Sequence, residues 1–164
     1  MRIMFHVLEL QDFIKMTDVH SKKNRSYNMS QIKNCDTKPE LIVRKYLFHA
    51  GFRYRINVKV LPGKPDIVLR KYKTIIFIHG CFWHGHADCK YSHLPKSNIE
   101  FWKNKIEANK IHDTKVYNQL RKLGWHIIII WECQLKSKMK DITLKGLVRT
   151  LNLIFLDNMK VLSK

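Results

Sequence analysis

A mixed α/β fold, with a central sheet flanked by helices, is predicted by three observations. Helical and strand-like hydrophobic periods alternate along the chain, residues 127–130 are four consecutive isoleucines, and short polar or glycine-containing breaks separate the segments. The chain has 164 residues, of which 45% are apolar, enough for one domain with a hydrophobic core.

Residues 1–15 differ in pattern from the remainder of the chain and read as an N-terminal extension, with Met16 as an alternative start; residues 16–36 read as a basic arm. Residues 37–156 carry the periodic segments, and 157–164 are left as a tail. Thr37-Lys38-Pro39-Glu40 has the form of a capping box with proline in the first turn. Ile42, Val43, Tyr46, Leu47 and Ala50 then form one apolar helical face that ends at Gly51.

Phe52, Tyr54, Ile56, Val58 and Val60 alternate with Arg53, Arg55, Asn57 and Lys59, the period of a strand with one buried face and one basic face. After the breaker at 61–65, the short strand 66–69, the polar turn 70–73 and the strand 74–79 read as a hairpin. That turn sets Leu69 opposite Thr74 and Asp66 opposite Phe77, so His79 falls diagonally from Asp66 on the same face, roughly 7–8 Å away. A slip of one residue would separate them.

Residues 99–123 are predicted helical, with a break near Asn109, with Ile106, Val116, Leu120 and Leu123 inward and Gly124 as the stop. Trp125 to Trp131 reads as a central strand covered on both faces. A last amphipathic helix uses Leu144, Leu147, Val148, Leu151, Ile154 and Phe155.

Lys and Arg number 31 against 13 Asp and Glu, a net charge of +18 spread along the whole chain. Such a charge calls for a polyanionic partner, nucleic acid first. Apolar runs fall far short of a membrane span and the N-terminus lacks a cleavage signal, so a cytoplasmic protein without membrane association is expected. In that setting Cys35, Cys81, Cys89 and Cys133 read as thiolate metal ligands plus one spare, Cys35, and not as disulfides.

Chemistry concentrates in His79-Gly80-Cys81-Phe82-Trp83-His84-Gly85-His86-Ala87-Asp88-Cys89, directly after an apolar strand. Cys81, His86, Cys89 and Cys133 suit a closed tetrahedral Zn2+ site of structural type. The Cys-x4-His-x2-Cys spacing is not that of a standard finger, buried thiols beside surface histidines are the competing reading, and His84 competes with His86 as the imidazole ligand. Asp66, at a sharp strand entry, could hold a hard cation such as Mg2+ or simply serve the turn. Glu40 is explained by the capping box alone. Phe82, Trp83 and Trp102 are either core aromatics or a wedge between base pairs, and wedging costs a few kcal/mol per step, least where pairing is weak. Lys22, Lys23, Arg25, Lys103, Lys105 and Lys110 are candidates for phosphate contacts or plain solvated charges.

Several motifs in order carry a resemblance. Arg25-Ser-x-Asn-Met29, Thr37-x-Pro-Glu40, Pro62-Gly-Lys-Pro-Asp66, Phe77-Ile-His-Gly-Cys-Phe-Trp-His84, Glu100-Phe101-Trp102, Leu123-Gly124-Trp125 and Trp131-Glu132-Cys133 resemble the very-short-patch-repair (Vsr) DNA mismatch endonucleases across residues 16–136. The resemblance implies a restriction-endonuclease-like fold, with 37–156 as the endonuclease domain and histidine at 79 where the broader fold has lysine. It implies that Asp66 and the Ile78 main-chain carbonyl hold Mg2+, while Glu40, His79 and His84 orient water at the metal or assist proton transfer. Position 78 is usually threonine in the family, and a backbone ligand tolerates isoleucine. The stretch His84 to Cys89 carries one residue more than the family pattern before its cysteine.

The implied activity is Mg2+-dependent hydrolysis of one phosphodiester on the thymine-bearing strand of a sequence-specific T:G mismatch, with the three aromatics inserted beside the mispair. This would initiate very short patch repair of deaminated 5-methylcytosine. The implied partners are double-stranded DNA, mismatch-repair proteins and a companion cytosine methyltransferase, and a monomer is expected. Two other readings stand beside it: a zinc-stapled DNA-binding module without catalysis, and a restriction-type nuclease indifferent to mismatches.

Overall fold

The computed structural model describes residues 35–162 together with Asn24 and Tyr27. Helix α1 spans Lys38–His49, strand β1 Ile67–Leu69 and strand β2 Thr74–His79. Helix α2 spans Ile99–Lys122, strand β3 His126–Trp131 and helix α3 Ser137–Leu162. The strands form one mixed sheet in the order β1-β2-β3, with β1 antiparallel and β3 parallel to β2.

The hairpin register is that of the polar turn: Leu69 pairs with Thr74, Val68 with Ile75 and Ile67 with Ile76. Arg70–Tyr72 closes it as a 3-10 turn, and Lys73 takes a left-handed conformation at φ 47°. Alternation then sorts the sheet into two faces. Ile67, Leu69, Ile76 and Ile130 pack with Val43 and Leu47 of α1 and with Leu144, Leu147 and Leu151 of α3. Val68, Ile75 and Phe77 pack with Val116 and Leu120 of α2. The sheet is thus covered by α1 and α3 on one side and by α2 on the other.

Three expectations are corrected. Residues 52–60 form no strand: apart from the isolated bridge Arg55 to Val68 they are irregular, and Asn57 at φ 53° interrupts any extended run. Phe52 is buried there, but Val60 is 85% exposed, so the alternation does not mark a continuous buried face. Helix α2 runs through Asn109 without a break, because Ile106, Val116 and Leu120 lie on one face across that point and pull it onto the sheet as a unit. β3 is an edge strand, paired only with β2 among the described residues, and β2 is the central one. Its isoleucines still meet both clusters, Ile127 on one face, Ile128 and Ile130 on the other, which is why the run is apolar throughout.

The capping box at α1 is also rearranged. Thr37 stands at the N-cap without capping a backbone amide; its hydroxyl instead donates to Glu40 Oε1 at 2.8 Å, and the Asp36 amide donates to Glu40 Oε2 at 3.0 Å. Glu40 therefore folds back over the helix entry, as a capping glutamate does, while the threonine serves the glutamate and not the backbone.

Candidate active site

β2 ends at His79 and β3 at Trp131, and the two residues are paired. The carboxyl ends of these parallel strands deliver the chain to the loop at 80–98 and to the turn at Glu132–Leu135, the sheet edge where α/β folds carry their sites. A cleft of about 730 Å³ opens there, lined among others by Glu40, Asp66, Ile78, His79, His84, Asp113 and Glu132.

Asp66 sits just before β1, and its Oδ2 accepts the Ile78 amide at 2.7 Å, tying the strand entry to the end of β2. Burial raises its pKa to about 6; the Ile78 amide and the charges of Arg44 and His84 oppose that rise, and Glu40 adds to it. A carboxylate so desolvated gains from a cation. Its other oxygen remains for one, beside the Ile78 backbone in the same cleft. That arrangement fits a hard ion taking one carboxylate and one carbonyl and completing its shell with water.

Glu40 is buried and receives, besides Thr37 and Asp36, the Arg44 Nη2 at 2.7 Å, while Arg44 Nη1 reaches Asp36 Oδ1 at 2.5 Å. It is fixed on the cleft wall as an ion-paired carboxylate.

His79 and His84 stack with ring centroids 3.7 Å apart and planes 12° apart. His84 Nδ1 lies 2.6 Å from Asp113 Oδ2, and the Tyr117 hydroxyl is hydrogen bonded to His79 Nε2. Burial first, and then repulsion from His84, lower the His79 pKa to about 4 despite Asp113. His79 is therefore neutral near pH 7 and a weak base. Burial also pushes the Tyr117 phenol up, so it stays protonated and able to donate. His84, with Nδ1–H donated to a carboxylate, keeps the Nε2 lone pair for proton transfer.

The second constellation is built from the same loop and the turn after β3. Ligand atoms of Cys81, His86, Cys89 and Cys133 all lie within 4.8 Å of one another. His86 Nδ1 is 3.4 Å from Cys133 Sγ, and its ring lies flat on Trp131 at 4.1 Å and 4°. Burial pushes the Cys81 thiol up to about 12 and raises Cys133 as well, while the Tyr91 backbone amide draws Cys89 down. Three sulfurs and an imidazole nitrogen at this spacing match a tetrahedral ion with bonds of about 2.0–2.3 Å. Of the two imidazoles in competition, His86 joins the cysteines and His84 joins Asp113. Cys35 is exposed before α1 and outside the group.

Phe82, Trp83 and Trp102 come together edge to face, with centroids 5.1 to 5.8 Å apart, and Phe101 extends the cluster from Trp102 at 5.1 Å. All three expected aromatics are half-buried, and Trp83 also lines the cleft. Asn109 donates to the Trp83 carbonyl at 2.7 Å, which fixes the loop to α2. Lys103, Lys105 and Lys110 are exposed on α2. Lys22, Lys23 and Arg25 lie outside the described residues.

Asp113, Tyr117 and Asn109 escaped the sequence reading. Their spacing held the signal: positions 106, 109, 113, 116, 117 and 120 follow one helical face, so a carboxylate at 113 stands on the same side as Ile106, Val116 and Leu120.

No helix among the described residues is long and apolar enough to cross a membrane. The sequence model for the family described as DNA mismatch endonuclease Vsr matches residues 17–91. The chain is 54% identical to the type II nicking enzyme V.NmeAIP of Neisseria meningitidis serogroup A, over 75% of this chain and 87% of that protein. It is 43% identical to the type II nicking enzyme V.XorIIP of Xanthomonas oryzae, over 74% of this chain and 89% of that protein. It is 41% identical to the DNA mismatch endonuclease Vsr of Escherichia coli K12, over 76% of this chain and 80% of that protein. With its cleft of carboxylates and imidazoles and its Cys/His cluster, the chain belongs to the Vsr family of DNA mismatch endonucleases, hydrolases that cut DNA.

Proposed function

We propose that the protein nicks the thymine-bearing strand at a T:G mismatch in a specific sequence by Mg2+-dependent phosphodiester hydrolysis, initiating very short patch repair of deaminated 5-methylcytosine. Its sheet and helices then form a restriction-endonuclease-like domain. The observation that carries this reading is the single cleft shared by Asp66, Glu40, His79 and the His84–Asp113 pair, bordered by the aromatic cluster through Trp83.

Asp66 and the Ile78 carbonyl would hold the magnesium, which when bound supplies positive charge at the phosphate and lowers the pKa of water. The protein's own groups do the rest. His84 Nε2 accepts the proton of the attacking water, and Asp113 orients the ring and stabilises its protonated form. His79, neutral and hydrogen bonded to Tyr117, stacks against His84 and keeps that ring in place. Glu40, neutralised by Arg44, gives a fixed acceptor on the wall.

The cluster of Cys81, His86, Cys89 and Cys133 would hold a structural zinc that ties the 80–89 loop to the end of β3. Phe82, Trp83 and Trp102 would enter the stack beside the mispair, where unstacking is cheapest. Lys103 and Lys105 of α2, with Lys22, Lys23 and Arg25 of the basic arm, would hold phosphates and fix position, not sequence. Mismatch-repair proteins and a companion cytosine methyltransferase are the partners the family implies, with the enzyme itself a monomer.

Nicking of duplexes carrying T:G or T:A in varied flanking sequence, with and without magnesium, tests the reading. Cleavage confined to the T:G duplex and to magnesium is expected, and Asp66→Ala should bind that duplex without nicking it. Several relatives carry the name of nicking enzymes. Equal cutting of T:G and T:A duplexes would favour a nuclease indifferent to mismatches.

A further inference from the structure

We propose that Lys64 is a catalytic cation of the nicking reaction, its ammonium set against a non-bridging oxygen of the phosphate that is cut. This rests on the cleft around Asp66 being the nicking site. Among the described residues the cleft is lined by four acidic residues, Glu40, Asp66, Asp113 and Glu132, and by one lysine, the exposed Lys64. Three of the carboxylates have partners: Glu40 pairs with Arg44, Glu132 with Lys136, and Asp113 with His84. Lys64 makes no ion pair with another of the described residues. A polyanion entering such a cleft needs a cation at its wall, and among the described residues Lys64 is the lysine that lines it.

The backbone supports a specific use of this side chain. Lys64 adopts φ 47°, a left-handed conformation that is strained for a residue with a Cβ. Most of the other non-glycine residues in that region are Asp or Asn, which tolerate it better. The remaining lysine there, Lys73, lays its ammonium over the Trp125 ring at 4.5 Å, a contact that uses the side chain. Lys64 has no such contact among the described residues, and strain held without an internal use gathers at functional sites.

Its neighbours fix the position. Gly63, at φ 72°, lies so close to α2 that a Cβ would come within 2.4 Å of Val116, and Pro65 is buried. The lysine is thus presented two residues before Asp66 from a turn clamped on both sides. As the water oxygen bonds to phosphorus and the leaving oxygen departs, negative charge grows on the non-bridging oxygens. An ammonium already in position there stabilises that charge, stays protonated throughout and adds no covalent step.

The test uses the full chain loaded with zinc, and the variants Lys64→Met and Lys64→Arg, checked for unchanged melting temperature and zinc content. Single-turnover nicking of a T:G duplex at saturating enzyme should slow about 10²-fold in Lys64→Met, with duplex affinity within about 3-fold, and Lys64→Arg should recover most of the rate. A phosphorothioate at the scissile position supplies a readout that a structural role would not move. The Lys64→Met defect should shrink to about 10-fold or less on the one diastereomer whose sulfur replaces the contacted oxygen. Full-rate nicking by Lys64→Met, a loss confined to affinity, or an equal defect on both diastereomers would each overturn the assignment. Asp66→Ala run in parallel separates the two ideas: if it nicks normally, the site itself is wrong and Lys64 falls with it; if it is dead while Lys64→Met is fully active, Lys64 alone is wrong.

Discussion

His84 Nδ1 lies 2.6 Å from Asp113 Oδ2, joining the loop after β2 to the middle of α2 across 29 residues of chain. The bond selects the tautomer with Nε2 free and holds the ring in the cleft. Asp113→Asn keeps the shape but offers an amide that can donate to Nδ1 and stabilise the wrong tautomer. Nicking should fall by about 10²- to 10⁴-fold with little change in duplex affinity. His84→Ala should cost about as much, and the double variant little more, because the two act as one unit. Single-turnover rates of the three proteins check this; additive losses would mean that the residues act separately.

Asp66 carries a stability cost that its chemistry explains. Its pKa is raised from 3.8 to about 6, chiefly by burial, so its favourable contribution is full below about pH 4 and is lost as pH rises through 6. At about 1.4 kcal/mol per pH unit, the ionised form costs about 2–3 kcal/mol at pH 7 in the metal-free protein. Asp66→Asn keeps an oxygen to accept the Ile78 amide and removes the charge. The metal-free variant should melt higher than the wild type at pH 7, with the gap closing as pH falls to 4. His79 slopes the other way in both proteins, since its pKa lowered to about 4 means stability lost as pH falls from 6.5. The difference between the two melting curves therefore isolates Asp66. A variant less stable at pH 7 would contradict the account.

Much of this site could be read from residue order. The hairpin register followed from the polar turn at 70–73, because a turn of that length allows one pairing in which Ile67 and Leu69 face one core and Val68 the other. The grouping of Cys81, Cys89 and Cys133 was legible because thiols are few and two of them bracket one loop. The choice between His84 and His86 was not, since it depends on where α2 offers Asp113 and where β3 offers Trp131 for stacking. The alternation at 52–60 misled because a period of two says nothing about whether a partner strand is there, and only Arg55 found one. The isoleucines at 127–130 marked two covered faces correctly, but two covered faces do not make a strand central.

The Cys/His cluster predicts a sharp contrast between thiols. Cys133→Ala removes the proposed zinc ligand at the end of β3, and if the cluster holds zinc as proposed, the protein should lose it together with several kcal/mol of stability. Because the same loop carries His84, nicking should fall too. Cys35→Ala, exposed and outside the group, should change neither zinc content nor melting. Metal analysis and thermal unfolding with and without a zinc chelator check both. Equal behaviour of the two variants would remove the structural metal.

Gly63 tests whether the loop before Asp66 is held by α2. A methyl group there would meet Val116 Cγ1 at 2.4 Å, and φ 72° adds backbone strain to the clash. Something must shift, and Val116 is buried beside Leu120 in the core between α2 and the sheet, so the loop yields before the helix does. Gly63→Ala should therefore lower stability by about 1–3 kcal/mol and slow nicking by moving Lys64 and Asp66. Val116→Ala alone leaves a small void and costs stability for a different reason. Combined with Gly63→Ala it supplies room for the new methyl, so the double variant should be more stable than the sum of the two losses, and faster at nicking than Gly63→Ala. Thermal unfolding of the four proteins of the cycle, with single-turnover nicking of each, checks it. Strict additivity would show that backbone strain alone, and not the approach to α2, makes glycine necessary at 63.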